Sequence, residues 1–268
     1  RIDVKSVGSK TVQQPPSDMS RLQSRPRQSN KSGPTTHEII PNRLYYVALT
    51  RKPQDTSNAL YFTTDNTLVY WNFFLDFGPL NLGQTYRFCE LLNRLLAAPE
   101  HKNKVIYYYS STHSHRRTNS VTLMTAWALI YLGRTPEEAF APFEDAYPAF
   151  PPFHDASPCV CSYKLTILDC LRGIKKAMDC GFVDFNNFNI EEFEHFEKVE
   201  NGDLTWLSHR TCAFAGPHNT HSSSVEGYYT LTPEDYVPHF KKRGVGMVIR
   251  LNKKYYDEGR FTREGIQH

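Results

Sequence analysis

No stretch of eighteen or more consecutive apolar residues occurs in these 268 residues, so no segment reads as a membrane-spanning helix. A surplus of one charge is lacking too: Lys and Arg number 31 and Asp and Glu 28, for a net charge of +3. The excess belongs to residues 1–40, which hold seven Lys/Arg against three Asp/Glu and leave the remainder close to −1. A nucleic-acid-binding body needs a basic patch or stripe, and none is supported. Cysteine is sparse: Cys89, Cys159, Cys161, Cys170, Cys180 and Cys212 are diluted along the chain. That pattern suits reduced intracellular thiols rather than a disulfide framework. An opening Met is also missing. Arg1 is followed by polar residues with no apolar core of a secretory signal, and the chain is expected to be a fragment.

What is present suffices for a sizeable core, at 40% hydrophobic and 13% aromatic residues. Residues 1–40 are the exception: rich in Ser, Gln, Pro and basic side chains, they read as a disordered arm. A solvated extension explains that composition, with a targeting or docking segment as the alternative. Structure is expected from Asn42. Strands are predicted at 44–49 and 59–63, split by Pro53, and another at 105–109, whose continuous apolar run suits burial on both faces. Leu82, Tyr86, Cys89, Leu92 and Leu96 recur at helical spacing, and an apolar helix follows at 121–130. Thr135-Pro136-Glu137-Glu138 is a helix start, and a long helix is predicted to open at Ser162 and stop at Gly181. After 204 the spacing predicts a strand at 211–214, a helix from Pro233 broken by Gly244, and a buried strand at 245–251. Alternating strand, loop and helix make the fold class α/β.

Three places carry chemistry-bearing residues. In the loop leaving the 105–109 strand, Ser111 stands six positions before Arg117. Cysteine-dependent phosphatases place a nucleophilic Cys and a phosphate-clamping Arg at that separation, but a Ser at its ordinary pKa without an arranged base substitutes poorly. The loop also lacks glycine to curl around a phosphate. A structural relic is the expected reading. His113-x-His115, His218-x-x-His221 and Cys159-x-Cys161 have metal-ligand residue types but no paired zinc spacing, so no metal and no cofactor is expected. At 187–203 acids gather: Glu191, Glu192, Glu194, Glu197, Glu200 and Asp203 face one base, Lys198. Glu194 and Glu197 fall on one helix face, with Asp203 just beyond the helix end. Such a cluster either selects a basic peptide or is a solvated linker face.

Several stretches resemble the mitotic-exit dual-specificity protein phosphatases, the cell-division-cycle fourteen family. They are Asp76-Phe77-Gly78-Pro79-Leu80-Asn81, the 131–139 segment opening Tyr131-Leu132-Gly133-Arg134, and Leu168-Asp169-Cys170. The 192–204 segment around Glu194-His195-Phe196-Glu197 is the strongest, joined by Gly216-Pro217-His218, Arg250-Leu251-Asn252-Lys253-Lys254 and Arg260-Phe261-Thr262. The matches run through residues 42–268 in the family's order.

The resemblance implies tandem phosphatase-like α/β domains, the first non-catalytic and the second truncated before its catalytic loop. The divisions are then a 1–40 arm, a non-catalytic domain at 41–186, an acidic interdomain helix at 187–204, and the start of a catalytic domain at 205–268. It makes Ser111 and Arg117 a degenerate phosphate loop. The family's catalytic Cys, Arg and general-acid Asp are expected beyond this chain, and no Cys here has an Arg six positions on: Cys212 meets His218 and Cys170 meets Lys176. It also implies that Glu194, Glu197 and Asp203 bind a basic residue following phosphoserine-proline in proteins phosphorylated by cyclin-dependent kinases, with a nuclear, nucleolar or cytoplasmic location and no nucleic-acid or membrane partner. The expected function is thus the specificity-bearing N-terminal part of a phosphatase acting on Ser, Thr and Tyr, inactive alone. The alternative is a non-catalytic module that binds basic or phosphorylated partners.

Overall fold

A computed structural model describes residues 35–223 and 229–268. Its first core is built on a four-stranded sheet. Strand β1 (Thr36–Ile40) pairs antiparallel with β2 (Leu44–Ala48), β2 runs parallel to β4 (Val105–Ser110), and β4 runs parallel to β3 (Ala59–Phe62), giving the order β1-β2-β4-β3. The register sets Tyr46 opposite Tyr108 and Leu44 opposite Ile106, so alternate residues of the two central strands all point into the core. The second face of β4 is lined by rings: Tyr107 stacks between Tyr45 and Tyr61, at 5.3 and 4.8 Å.

Helix α1 (Leu82–Ala97) begins at a capping box in which Asn81 and Gln84 exchange bonds, and it buries Phe88, Cys89 and Leu92. Helix α2 (Ser114–Tyr131) is buried on nearly every side from Arg117 to Leu129, as befits a helix enclosed by its neighbours rather than lying on the surface. Short α3 (Pro136–Phe140) has the Thr135–Glu138 capping box that its sequence announces, and α4 (Ile167–Asp179) lays Ile167 and Leu171 on the same core.

A second, smaller core gathers Leu204, Tyr236, Val237, Phe240, Val248, Tyr256, Phe261 and Ile266. It is formed by the hairpin β5 (Leu204–Ser208) and β6 (Thr211–Phe214), helix α6 (Pro233–Arg243) and the single turn α7 (Gly259–Thr262). Between the two cores runs α5 (Ile190–Phe196).

Three expectations need correction. The arm expected to extend to residue 40 instead contributes β1 from Thr36 on. Ile39 is buried there, and its carbonyl accepts a bond from Arg134 Nη2 at 2.6 Å. The rest of the arm lies outside the described residues. Helix α4 starts at Ile167, not Ser162, because Leu165 is held extended by its bridge to Phe153 and Thr166 with Asp169 forms the capping box. The buried strand at 245–251 does not form. Only Met247 finds a bridge, to Gln267, and Ile249 and Leu251 are 71% and 95% exposed. An apolar run becomes a buried strand only with partners along it. Conversely, β5 supplies β6 with a partner strand that the pattern did not announce.

Arg43, at the entrance to β2, ties the sheet to the far end of α1. Its guanidinium donates to the carbonyls of Leu96 at 2.9 Å, His101 at 2.7 Å and Lys104. Arg43→Ala removes these charge-assisted bonds and leaves half-buried carbonyls unpaired. A loss of about 3 kcal/mol in unfolding free energy is expected, read by urea denaturation.

Candidate functional site

The acidic cluster is positioned by α5, and α5 is positioned by contacts to both cores. On the α1 side, Gly83 gives Phe193 room: a Cβ built there would stand 2.7 Å from the Phe193 ring. Phe193 is braced by Phe188, which also packs on Tyr86 of α1. Around this contact two polar groups of α1 reach the acids. Asn81 is spent at both ends, its Oδ1 accepting from Gln84 N–H at 2.8 Å while its Nδ2 donates to Glu197 Oε1. Arg87, one helical turn beyond Gly83, makes a bidentate pair with Glu194 at 2.9 and 2.8 Å. On the other side, Arg243 at the end of α6 pairs with Glu192 and lies over the Trp206 ring at 5.5 Å, and Phe196 packs edge-on to His239.

The three carboxylates expected to act together are therefore not equivalent. The Arg87 guanidinium holds the Glu194 carboxyl below its ordinary pKa. Burial pushes Glu197 up. The bond from Asn81 opposes that shift, and the charges of Asp203 and Glu194 add to it. Asp203 is also raised, by the protein crowding it. Its backbone is left-handed at φ 42°, following Gly202 at φ 113°. The turn is pinned by Tyr236, whose hydroxyl bonds the carbonyls of Gly202 and Ala215, each at 3.1 Å. Among the described residues, neither Glu197 nor Asp203 makes an ion pair.

The Ser111–Arg117 loop is arranged differently from a phosphate cradle. Ser111 N–H donates to Asp65 Oδ2 at 2.7 Å, and Arg116 lies 3.7 Å from the same oxygen. Arg117 is buried and turned away: its Nη2 donates to the Pro148 carbonyl at 2.8 Å and its guanidinium covers the Phe150 ring at 5.0 Å. The residues with metal-ligand types stay apart or are otherwise engaged. His218 stacks on Tyr255, His221 bonds Asp235 at 2.7 Å, and no group of three His, Cys, Asp or Glu side chains assembles among the described residues. No helix among them is long and apolar enough to cross a membrane.

Sequence reasoning found the acids but not Asn81, Arg87, Arg243 or Asp65. Asn81 had a signal, an N-cap residue three before Gln84. The other three become visible only when α1, α6 and β3 are folded against their partners.

Comparison with known proteins agrees with this architecture. The family model "Dual specificity protein phosphatase, N-terminal half" matches residues 38–177. The dual specificity protein phosphatase CDC14AB of Danio rerio is 47% identical over 234 residues, covering 86% of this chain and 38% of that protein. For CDC14A of Homo sapiens the identity is 46%, with 86% and 39% covered. The tyrosine-protein phosphatase CDC14 of Saccharomyces cerevisiae is 32% identical, with 87% and 43% covered. The chain spans about two-fifths of the length of these relatives.

Seating of α5 is testable at one atom. Gly83→Ala gains helix propensity of about 1 kcal/mol but drives a methyl into Phe193, a clash of about 1–3 kcal/mol. It is expected to lower the melting temperature. Gly173→Ala in α4, where a Cβ meets nothing within 4 Å, is the control and should raise it.

Proposed function

Because the chain belongs to the CDC14 family of dual specificity protein phosphatases, we propose that it supplies the surface by which such an enzyme selects its phosphoprotein substrates. Glu197 and Asp203 bind the basic side chain that follows a phosphoserine-proline pair, and Glu194 shapes the same face while neutralised by Arg87. The observation carrying this reading is the pair Glu197 and Asp203, held at raised pKa and without an ion pair among the described residues. A Lys or Arg arriving there gains the attraction of two charges and lowers both pKa values, so binding releases protons.

The two separate hydrophobic cores support a division into a first phosphatase-like unit ending near 186, a linker around α5, and a second unit from about 205. Hydrolysis in this reading requires a Cys nucleophile, a clamping Arg and an acid that the 268 residues do not supply. The first unit offers no substitute, since Ser111 N–H is taken by Asp65 and Arg117 is buried against Phe150. These residues bind and do not hydrolyse, and the enzyme of which they form part acts in the nucleus, nucleolus or cytoplasm on cyclin-dependent-kinase sites.

Glu197→Gln tests the assignment through two opposed readouts. A carboxyl whose folded pKa is raised costs stability as pH climbs from its unfolded value, about 4.3, through the folded one, and that cost persists at neutral pH. The variant keeps an oxygen for Asn81 and removes the charge, so its melting temperature at pH 7 should rise. Its affinity for a phosphoserine-proline peptide bearing a downstream Lys should fall about fivefold at low salt. The wild-type affinity should itself strengthen as pH rises through the Glu197 and Asp203 titrations. Equal affinities of variant and wild type by calorimetry would refute the groove assignment.

A further inference from the structure

Arg87 follows Gly83 by four positions, so it leaves α1 on the side that meets α5. Its Nε and Nη2 donate to the two oxygens of Glu194 at 2.9 and 2.8 Å. Both side chains are about half exposed, at 50% and 43%, where an ion pair adds little stability. The helix it touches is also held by other contacts: Phe193 over Gly83, the Asn81 bond to Glu197 and the Arg243 pair with Glu192. The larger consequence of Arg87 is the place at which it puts a positive charge.

That place is the acidic face itself. The charges of Asp203 and Glu194 both bear on Glu197, so the three carboxylates form one electrostatic group. Arg87 matches one of them in direct contact. Lys198 also acts on Glu194, but makes no ion pair among the described residues. A ligand cation approaching Glu197 and Asp203 therefore meets a fixed guanidinium beside them. Each further positive charge on the ligand meets the same repulsion, with no third free carboxylate in the group to offset it. Specific surfaces use such repulsive elements as well as attractive ones. Arg suits this place better than Lys, because its planar fork binds both carboxylate oxygens and keeps the charge from swinging away.

We propose that Arg87 is a specificity-determining residue of the acidic face: a resident cation that occupies Glu194 and denies substrates with clustered basic residues any advantage over those with one. The inference rests on the binding role proposed for Glu197 and Asp203, and names the residue that sets how much positive charge they accept.

Two phosphoserine-proline peptides, one with a single downstream Lys and one with two adjacent downstream Lys, are the probes, titrated into the 268-residue chain by calorimetry at low salt. The wild-type chain should bind the two within about twofold of each other. Arg87→Gln removes the charge and keeps an N–H for Glu194. It should favour the two-Lys peptide about tenfold over the one-Lys peptide, a preference that fades in about 0.5 M salt. Arg87→Lys loses the fork but keeps the charge, and should hold the wild-type ratio, which a merely structural role for the fork would not predict. Glu194→Gln leaves the guanidinium unmatched and should weaken one-Lys binding about threefold. Glu197→Gln separates the two readings. If it leaves one-Lys binding unchanged, the binding face is refuted and this inference with it. If it weakens that binding while Arg87→Gln keeps the wild-type ratio, or while Glu194→Gln changes nothing, the role of Arg87 alone is overturned.

Discussion

A ring resting on a glycine governs the geometry of the acidic face. Phe193 lies where any side chain at position 83 would collide with it, so α5 approaches α1 as closely as the backbone of α1 allows. That approach brings Asn81 to Glu197 and Arg87 to Glu194. With a larger spacing neither bond would reach, since hydrogen bonds fail beyond about 3.5 Å. The positions of two carboxylates, Glu194 and Glu197, therefore depend on one missing methyl group. The aromatic chain Tyr86, Phe188 and Phe193 spreads the same constraint along the helix, so the contact is supported by packing as well as by charge.

Fixing α5 also distributes its acids among different jobs. Glu192 goes to Arg243 on the second core and Glu194 to Arg87 on the first, so each core anchors the helix through an ion pair. These exposed pairs contribute little stability individually, yet they fix which face of α5 turns outward. Glu191, Glu197, Glu200 and Asp203 make no ion pair among the described residues. Desolvation opposes ionisation at Glu197 and Asp203, and the Asp203 charge adds to the cost at Glu197. Stability is given up at these positions, which accords with the binding role proposed for them. The Tyr236 hydroxyl, anchored in the second core, holds the Gly202–Asp203 turn open against that repulsion.

Elements with strong local signals were legible in the sequence: the Thr135 and Pro233 helix starts, the Gly244 stop, and the strand at 105–109. The acids of 187–203 were legible as a cluster, because composition survives without knowledge of the fold. Failures came where partners decide. The 245–251 run looks like a strand by itself, but strand formation depends on neighbours, and only Met247 has one. Thr36–Ile40 looks like part of a polar arm, but Ile39 and the bond from Arg134 draw it onto the sheet edge. The division of labour among Glu192, Glu194 and Glu197 was illegible for the same reason: each role is set by a residue more than forty positions away.

The same dependence on distant partners explains why spacing alone misreads the Ser111–Arg117 loop. Six positions separate a nucleophile from its arginine only if both point at a common anion. Here the loop's first N–H is satisfied by Asp65, a residue in the turn after β3, and the arginine has found a carbonyl and a ring inside the fold. Each substitution supports the other. A carboxylate at the anion's position makes a phosphate-directed guanidinium unnecessary, since Arg116 already balances it. With Arg117 withdrawn, a bound dianion would lose its clamp. A cysteine placed at 111 would therefore make no phosphate site. The side-chain oxygen at 111 is buried and has no partner, and burial without a partner raises a thiol pKa rather than lowering it, so the chemistry would fail before any substrate arrived.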